Sequence, residues 1–279
     1  IGKKLFDQKI AFFATLFMAL LPIHLYYSAL AFVDVFMAFF IVLSMYLLLQ
    51  KRLILAGIVF GLALLAKQNA LIFFPFLLYI LYSDYTKKIL LKKAVLFSLT
   101  TGIIGSFWFV RNFVVFGNPF WPFLYKIFGG NIAPTAAETI FNPFNVLDPG
   151  LLVQGYLATF GVPLGNLALL IDYALPFKPV TLSLWAAATI VFFFPILLGI
   201  SRLYQHKKAF HIFIVLIVTS LAGLAIYIMN LDQAYMRLIL PVYLALAFPW
   251  ALGFNRLLQH KIFPLVLVGL VGISFVFVG

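Results

Sequence analysis

Asp34 follows a run, Tyr26-Tyr27-Ser28-Ala29-Leu30-Ala31-Phe32-Val33, that offers it no surface role. An ionisable side chain at membrane depth is a functional candidate by default. A carboxylate there can orient a hydroxyl or hold a metal. Lys67 closes the stretch Gly61-Leu62-Ala63-Leu64-Leu65-Ala66-Lys67, and an ammonium at a helix end is placed to hold a phosphate. Arg111 follows Trp108 at the end of an apolar run, and Arg237 stands between Tyr235 and Pro241. The same positions also suit bland roles. Lys67 and Asp34 can snorkel or cap helices, and single Arg residues are ordinary interface anchors. His24 precedes Asp34, but one His with one acid falls short of the three or four ligands of a metal site. A divalent metal on Asp34 and His24 is therefore a weak expectation.

The elements that must position these residues are membrane spans. The chain has 279 residues, 65% of them hydrophobic and 9% charged, with a mean hydropathy of +1.15. A soluble domain carries roughly a quarter charged residues. The net charge of +12 does not point to nucleic acid, because the cations sit in short clusters between apolar runs. With no cysteine, disulfides, thiolate metal sites and cysteine nucleophiles are excluded. Walker, dinucleotide, HExxH and GxSxG signatures are absent as well. The chain opens at Ile1 and stops at Gly279 in an apolar run, as expected of a piece of a longer membrane protein with earlier spans upstream.

A membrane helix needs about 20 apolar residues. Such runs fall at Ile10–Tyr27, Ala29–Gln50, Leu53–Ala66, Asn69–Tyr82, Ala94–Val110, Val180–Ile200, Phe210–Met229, Leu238–Phe254 and Ile262–Val278. The expected fold is therefore all-α: one polytopic bundle over 1–279 with about nine spans by that length rule. Leu53–Tyr82, interrupted by Lys67-Gln68-Asn69, would be about 45 Å long as a single helix. That exceeds a hydrocarbon core of about 30 Å. As a hairpin it puts Lys3, Lys4, Lys9, Lys51, Arg52, Lys87, Lys88, Lys92, Lys93, Arg202, Lys207, Lys208, Arg256 and Lys261 on one side, 14 of the 19 Lys and Arg. As one helix it divides them 9 against 9, with Lys67 left in the membrane. The positive-inside rule selects the hairpin and makes the 14-residue side cytoplasmic. Lys67, Arg111 and Arg237 then lie together on the far side, where cations are scarce, with Asp34. A pocket for an anionic lipid head group would account for that. Residues 111–179 form a long external loop on that side. It is rich in turn signals yet aromatic, and Leu151–Phe160 reads as a short interfacial helix.

The order of these features resembles the C-type membrane glycosyltransferases, in the branch of protein mannosyltransferases and lipid-A aminoarabinose transferases. The resemblance rests on Tyr27-Ser28, Asp34 and Phe39-Phe40; on Ala56-Gly57, Gly61-Leu62-Ala63 and Lys67; on Trp108, Arg111-Asn112, Gly117-Asn118-Pro119 and Pro122-Phe123; and on Tyr235, Arg237 and Pro241. It implies transfer of a sugar from a polyprenyl-phosphate donor to a glycan, lipid or protein acceptor. The implied location is the extracytoplasmic face of a multi-pass protein of the plasma membrane. By resemblance, Lys67, Arg111, Arg237 and Tyr235 bind the lipid phosphate, and Asp34 orients the acceptor or holds a metal. The family's general base lies in a first external loop upstream of these residues, so they are expected to be inactive alone. A secondary transporter built on a broken helix is the alternative, and a non-catalytic membrane scaffold a third reading.

Overall fold

The computed structural model describes residues 1–20, 24, 28, 32–121, 125–132, 194–231 and 240–259. Every regular element among them is helical. In chain order they are α1 (Gly2–Leu5), α2 (Gln8–Leu20), α3 (Val33–Leu49), α4 (Leu53–Ala66), a 3-10 helix (Gln68–Phe73), α5 (Phe74–Asp84), α6 (Lys87–Phe116) and α7 (Tyr125–Phe128). Then follow α8 (194–205), α9 (Lys207–Leu231) and α10 (Val242–Leu257). Two described stretches, Lys87–Phe116 and Lys207–Ala225, are long and apolar enough to cross a membrane; Gln8–Ala19, Val33–Leu49 and Leu53–Ala66 are shorter apolar helices. The expected span at Ile262–Val278, the start of Val180–Ile200 and the expected interfacial helix at Leu151–Phe160 lie outside the described residues.

The turn between α3 and α4 is a Schellman motif. Arg52 N–H donates to Leu47 O (2.9 Å) and Lys51 N–H to Leu48 O (2.8 Å). Lys51 takes the left-handed position, with φ of 61°, that glycine usually fills. The tight turn sets α3 and α4 antiparallel, and Ser44 Oγ donates across them to Ala56 O at 2.9 Å.

Small residues then decide how α6 packs on α4. A Cβ on Gly57 would lie 1.8 Å from Thr100 Oγ1, and one on Gly61 would lie 2.5 Å from Ile104 Cβ. Only glycine lets the two backbones come this close. Thr101 Oγ1 donates to Gly57 O at 3.2 Å, and Trp108 Nε1 to Leu65 O at 2.6 Å. The pairs 57/100, 61/104 and 65/108 climb together, so α4 and α6 run parallel. Two parallel helices need a return path, and α5 provides it. Its Phe74 stacks between Phe60 and Phe97, with ring centroids 6.0 and 5.9 Å away. The chain thus reverses at Lys67, as the charge distribution predicts, and the single-helix alternative is excluded.

One boundary differs from expectation. The external loop was expected to begin at Arg111, but α6 continues through Arg111 and Asn112 to Phe116. Its end is Gly117, at φ of 72°, whose N–H bonds to Phe113 O at 2.8 Å. The polar pair looks like a span end in sequence. In the fold, Arg111 lies over aromatic rings and Asn112 bonds inward, so neither stops the helix.

α9 closes the bundle against α5. Lys208 is ion-paired with Asp84 at one end, and Gly223 abuts Ile72 toward the other. Phe6, Phe213 and Phe248 stack where α9 and α10 meet the N-terminal segment. The bundle therefore has a basic end with Lys51, Arg52, Lys87 and Lys88. Its opposite end holds Asp34, Lys67, Arg111 and the described residues 117–121 and 125–132.

Candidate functional site

At that opposite end, α3 begins and α4 finishes side by side. Asp34 lies in the first turn of α3, where the positive pole of the helix favours a carboxylate. Lys67 caps α4, at the negative pole, in extended conformation. Lys67 Nζ donates to Asp34 Oδ1 at 2.7 Å. The Asp34 side chain is 1% exposed and that of Lys67 is 23% exposed. A buried carboxylate without a partner is costly, so each charge is the condition for the other's position. An ammonium has three N–H donors. The bond to Asp34 uses one and leaves the open side of Lys67 for a ligand.

A second polar cluster begins at the next residue. Asn112 Nδ2 donates to Gln68 Oε1 (3.4 Å) and to Trp121 O (3.3 Å), and Gln68 Nε2 donates to Trp121 O (3.4 Å). Asn112 is buried. Asn118 is buried too; its Oδ1 accepts from Phe120 N–H at 2.9 Å and its Nδ2 donates to Gly129 O at 3.2 Å. These bonds hold the described residues after α6 against the end of that helix, with Trp121 stacked on Phe116 at 4.0 Å.

Arg111 takes the other face of α6. It is exposed, beside exposed Val110 and Val114. Its guanidinium lies 5.1 Å from the Trp108 ring and 5.8 Å from the Phe116 ring, and Nη1 reaches Asn112 Oδ1 at 3.3 Å. The structure thus unites Asp34 with Lys67 and sets Arg111 at the outer surface nearby. Arg237 and Tyr235 lie outside the described residues.

His24 lines a cavity of about 890 Å³ between the N-terminal helices, α3 and the start of α10, with Phe36, Phe39 and Leu240 among its walls. Its buried Nδ1 has no hydrogen-bond partner among the described residues. No group of three or more His, Asp or Glu gathers among the described residues, and Asp34 is committed to Lys67. Sequence reasoning passed over Gln68 and Asn112 as site residues. The available signal was a carboxamide interrupting each of two apolar runs that end on the same side.

Residues 1–110 match the family model of the dolichyl-phosphate-mannose-protein mannosyltransferases. The match supports the resemblance drawn from the motifs up to Trp108. It spans Asp34, Lys67 and Trp108 and stops one residue before Arg111. No curated protein and no solved structure matches the chain.

Proposed function

We propose that this chain forms the donor-binding part of a membrane glycosyltransferase. The donor is a polyprenyl-phosphate-linked sugar, and the acceptor is a glycan, lipid or protein hydroxyl. The working end is the one bearing Asp34 and Lys67, facing away from the cytoplasm at the plasma membrane. The observation that carries this reading is the Asp34–Lys67 pair, inside the family-matched stretch and at the cation-poor end of the bundle.

In the transfer, the acceptor oxygen attacks the anomeric carbon and the bond from that carbon to the phosphate oxygen breaks. The bonding pair passes to the phosphate, and the hydroxyl proton passes to a carboxylate base. Asp34 is not assigned that role, because its oxygen is committed to Lys67. It positions the ammonium instead. Lys67 meets the charge that develops on the departing lipid phosphate, where a fixed donor is most effective. Arg111, on the lipid-facing surface, meets the donor phosphate as it arrives from the bilayer, and Arg237 and Tyr235 complete the set. The base belongs to an external loop of the full-length protein, as the resemblance implies. The exposed aromatic and aliphatic faces supply an apolar path for the prenyl chain.

The test is sugar transfer from a polyprenyl-phosphate donor in membranes carrying the full-length protein. Lys67→Ala is expected to lower kcat by about 10²-fold or more, the usual scale for loss of one charge-stabilising donor. Wild-type rates in both Lys67→Ala and Asp34→Asn, at equal folded protein, would sink the assignment.

A further inference from the structure

Lys67 stands where α4 stops, and α6 holds the chain on both sides of it. On α6, Thr101, Gly105, Trp108 and Asn112 recur at i, i+3 and i+4 spacing and share the face turned to α4. Trp108 Nε1 donates to Leu65 O at 2.6 Å, a carbonyl that the end of the helix leaves without an intrahelical partner. One turn further along α6, Asn112 Nδ2 donates to Gln68 Oε1 at 3.4 Å. Leu65 lies two residues before Lys67, and Gln68 directly follows it. Between these two attachments Lys67 is extended. Its N–H donates to Ala63 O at 2.9 Å, and its own carbonyl accepts from Ala70 N–H at 3.0 Å.

The same two side chains hold Arg111. Its guanidinium lies 5.1 Å from the Trp108 ring, and its Nη1 donates to Asn112 Oδ1 at 3.3 Å. Trp108 and Asn112 therefore each touch Arg111 on one side and the end of α4 on the other. Asn112 Nδ2 and Gln68 Nε2 also share the Trp121 carbonyl, at 3.3 and 3.4 Å, which ties the residues after α6 to the same point.

Burial alone asks only that the Asn112 amide be hydrogen-bonded. It does not ask that one partner adjoin Lys67 and another be Arg111. Nor does packing ask for an indole N–H at position 108, because the other aromatic residues of α6, Phe97, Phe107, Phe109, Phe113 and Phe116, carry no polar atom on the ring. The single Trp of this helix is the ring that reaches the end of α4.

We infer that Trp108, Asn112 and Gln68 are positioning residues, which set the Lys67 ammonium and the Arg111 guanidinium in one fixed relationship. None of the three is assigned a contact with substrate. The inference rests on the phosphate roles proposed above for Lys67 and Arg111. A fixed donor stabilises developing charge only where that charge forms, and a misplacement of about 1 Å can cost about 10²-fold in rate. A loosened end of α4 lets Lys67 Nζ drift from the departing phosphate oxygen, while Arg111 and the apolar path still hold the donor. The signature is therefore a loss of kcat with little change in KM.

The test is steady-state sugar transfer by the full-length protein in membranes, at equal folded protein. Trp108→Phe keeps a ring beneath Arg111 and removes the N–H to Leu65 O. Gln68→Met keeps the length of the side chain and removes its hydrogen bonds. Each is expected to lower kcat by about tenfold or more and to leave the KM for the lipid-linked donor within about twofold. Gln68→Asn keeps the amide, loses one methylene of reach and should show the same loss, so it serves where Gln68→Met folds poorly. In a Lys67→Ala background these changes should have little further effect, because residues that act as a unit are not additive. Unchanged kcat in Trp108→Phe and in the Gln68 variants overturns the inference. So does a loss of equal size with Lys67 present and absent, the mark of a purely structural role. No transfer by the wild type counts against the transferase reading, and positioning is then read from thermal unfolding. Lys67→Met should lower the melting temperature less in the Gln68→Met protein than in the wild type, and equal lowering in the two backgrounds overturns the inference.

Discussion

Lys67 and Asp34, 33 positions apart in sequence, meet in a 2.7 Å ion pair whose two halves are unequally buried. The carboxylate is enclosed, whereas the ammonium can turn toward the exterior. Removing either partner therefore has different consequences. Lys67→Met takes the ion-pair partner from the buried Asp34 carboxylate, a change of the kind that costs about 3–5 kcal/mol. Asp34→Asn leaves Lys67 free to snorkel and should cost clearly less. The double variant Asp34→Leu/Lys67→Met should recover most of the stability, since a packed apolar pair often replaces a buried ion pair without loss. Its transfer activity should stay low. Thermal unfolding of the four proteins in one detergent checks the order, and equal destabilisation by the two single changes would contradict the unequal burial.

The α4–α6 contact sets a second expectation. Gly61→Val places carbon where Ile104 already sits, so it should destabilise by about 1–3 kcal/mol through overpacking. Gly102→Ala meets nothing within 4 Å and should be neutral or stabilise by up to about 1 kcal/mol. Both glycines lie in helices and differ only in what faces them. Unfolding temperatures that move together in the two variants would show that helix propensity, not the interface, governs the effect.

Much of this arrangement is legible in the residues. The reversal at Lys67 follows from counting cations, because topology responds to charge outside the membrane, which sequence displays directly. Asp34 and Lys67 are legible singly, as charges in apolar runs. Their pairing is not, because it depends on how α3 and α4 lie against each other, and small residues with buried hydroxyls fix that packing. Arg111 illustrates the limit of one-dimensional reading. One step along a helix turns a side chain by about 100°. That step separates outward Arg111 from inward Asn112, so the motif marks the right turn of helix and leaves open which residue faces the interior.

That division predicts different phenotypes for neighbours. Asn112→Leu removes the donor to Gln68 Oε1 and one of the two donors to the Trp121 carbonyl, at about 1–3 kcal/mol. Arg111→Gln is a surface change and should stay within about 0.5 kcal/mol. In transfer assays Arg111→Gln should raise the KM for the lipid-linked donor with kcat nearly kept, whereas Lys67→Ala lowers kcat. An Arg111→Gln protein that melts as early as Asn112→Leu would mean that the guanidinium is structural.

Sidedness can be tested with single introduced cysteines, because these 279 residues hold none of their own. Lys88 begins α6 at the basic end, Lys207 begins α9 beside it through the Asp84–Lys208 pair, and Asn131 follows the far end of α6. Asn131 N–H bonds to Phe116 O at 2.7 Å, which ties it to that end of the helix. With a bilayer around the bundle, Lys88 and Lys207 must therefore share one side and Asn131 must lie on the other. The positive-inside rule assigns the first pair to the cytoplasm. Single cysteines at the three positions should divide accordingly: a membrane-impermeant maleimide added to intact cells should label position 131 and leave 88 and 207 unlabelled until the membrane is opened. Labelling of 88 and 207 from outside, with 131 protected, would invert the topology and move the Asp34–Lys67 end to the cytoplasmic face. Labelling of 88 and 131 from the same side would contradict α6 as a span, and with it the parallel packing that carries Lys67 and Arg111 to one end.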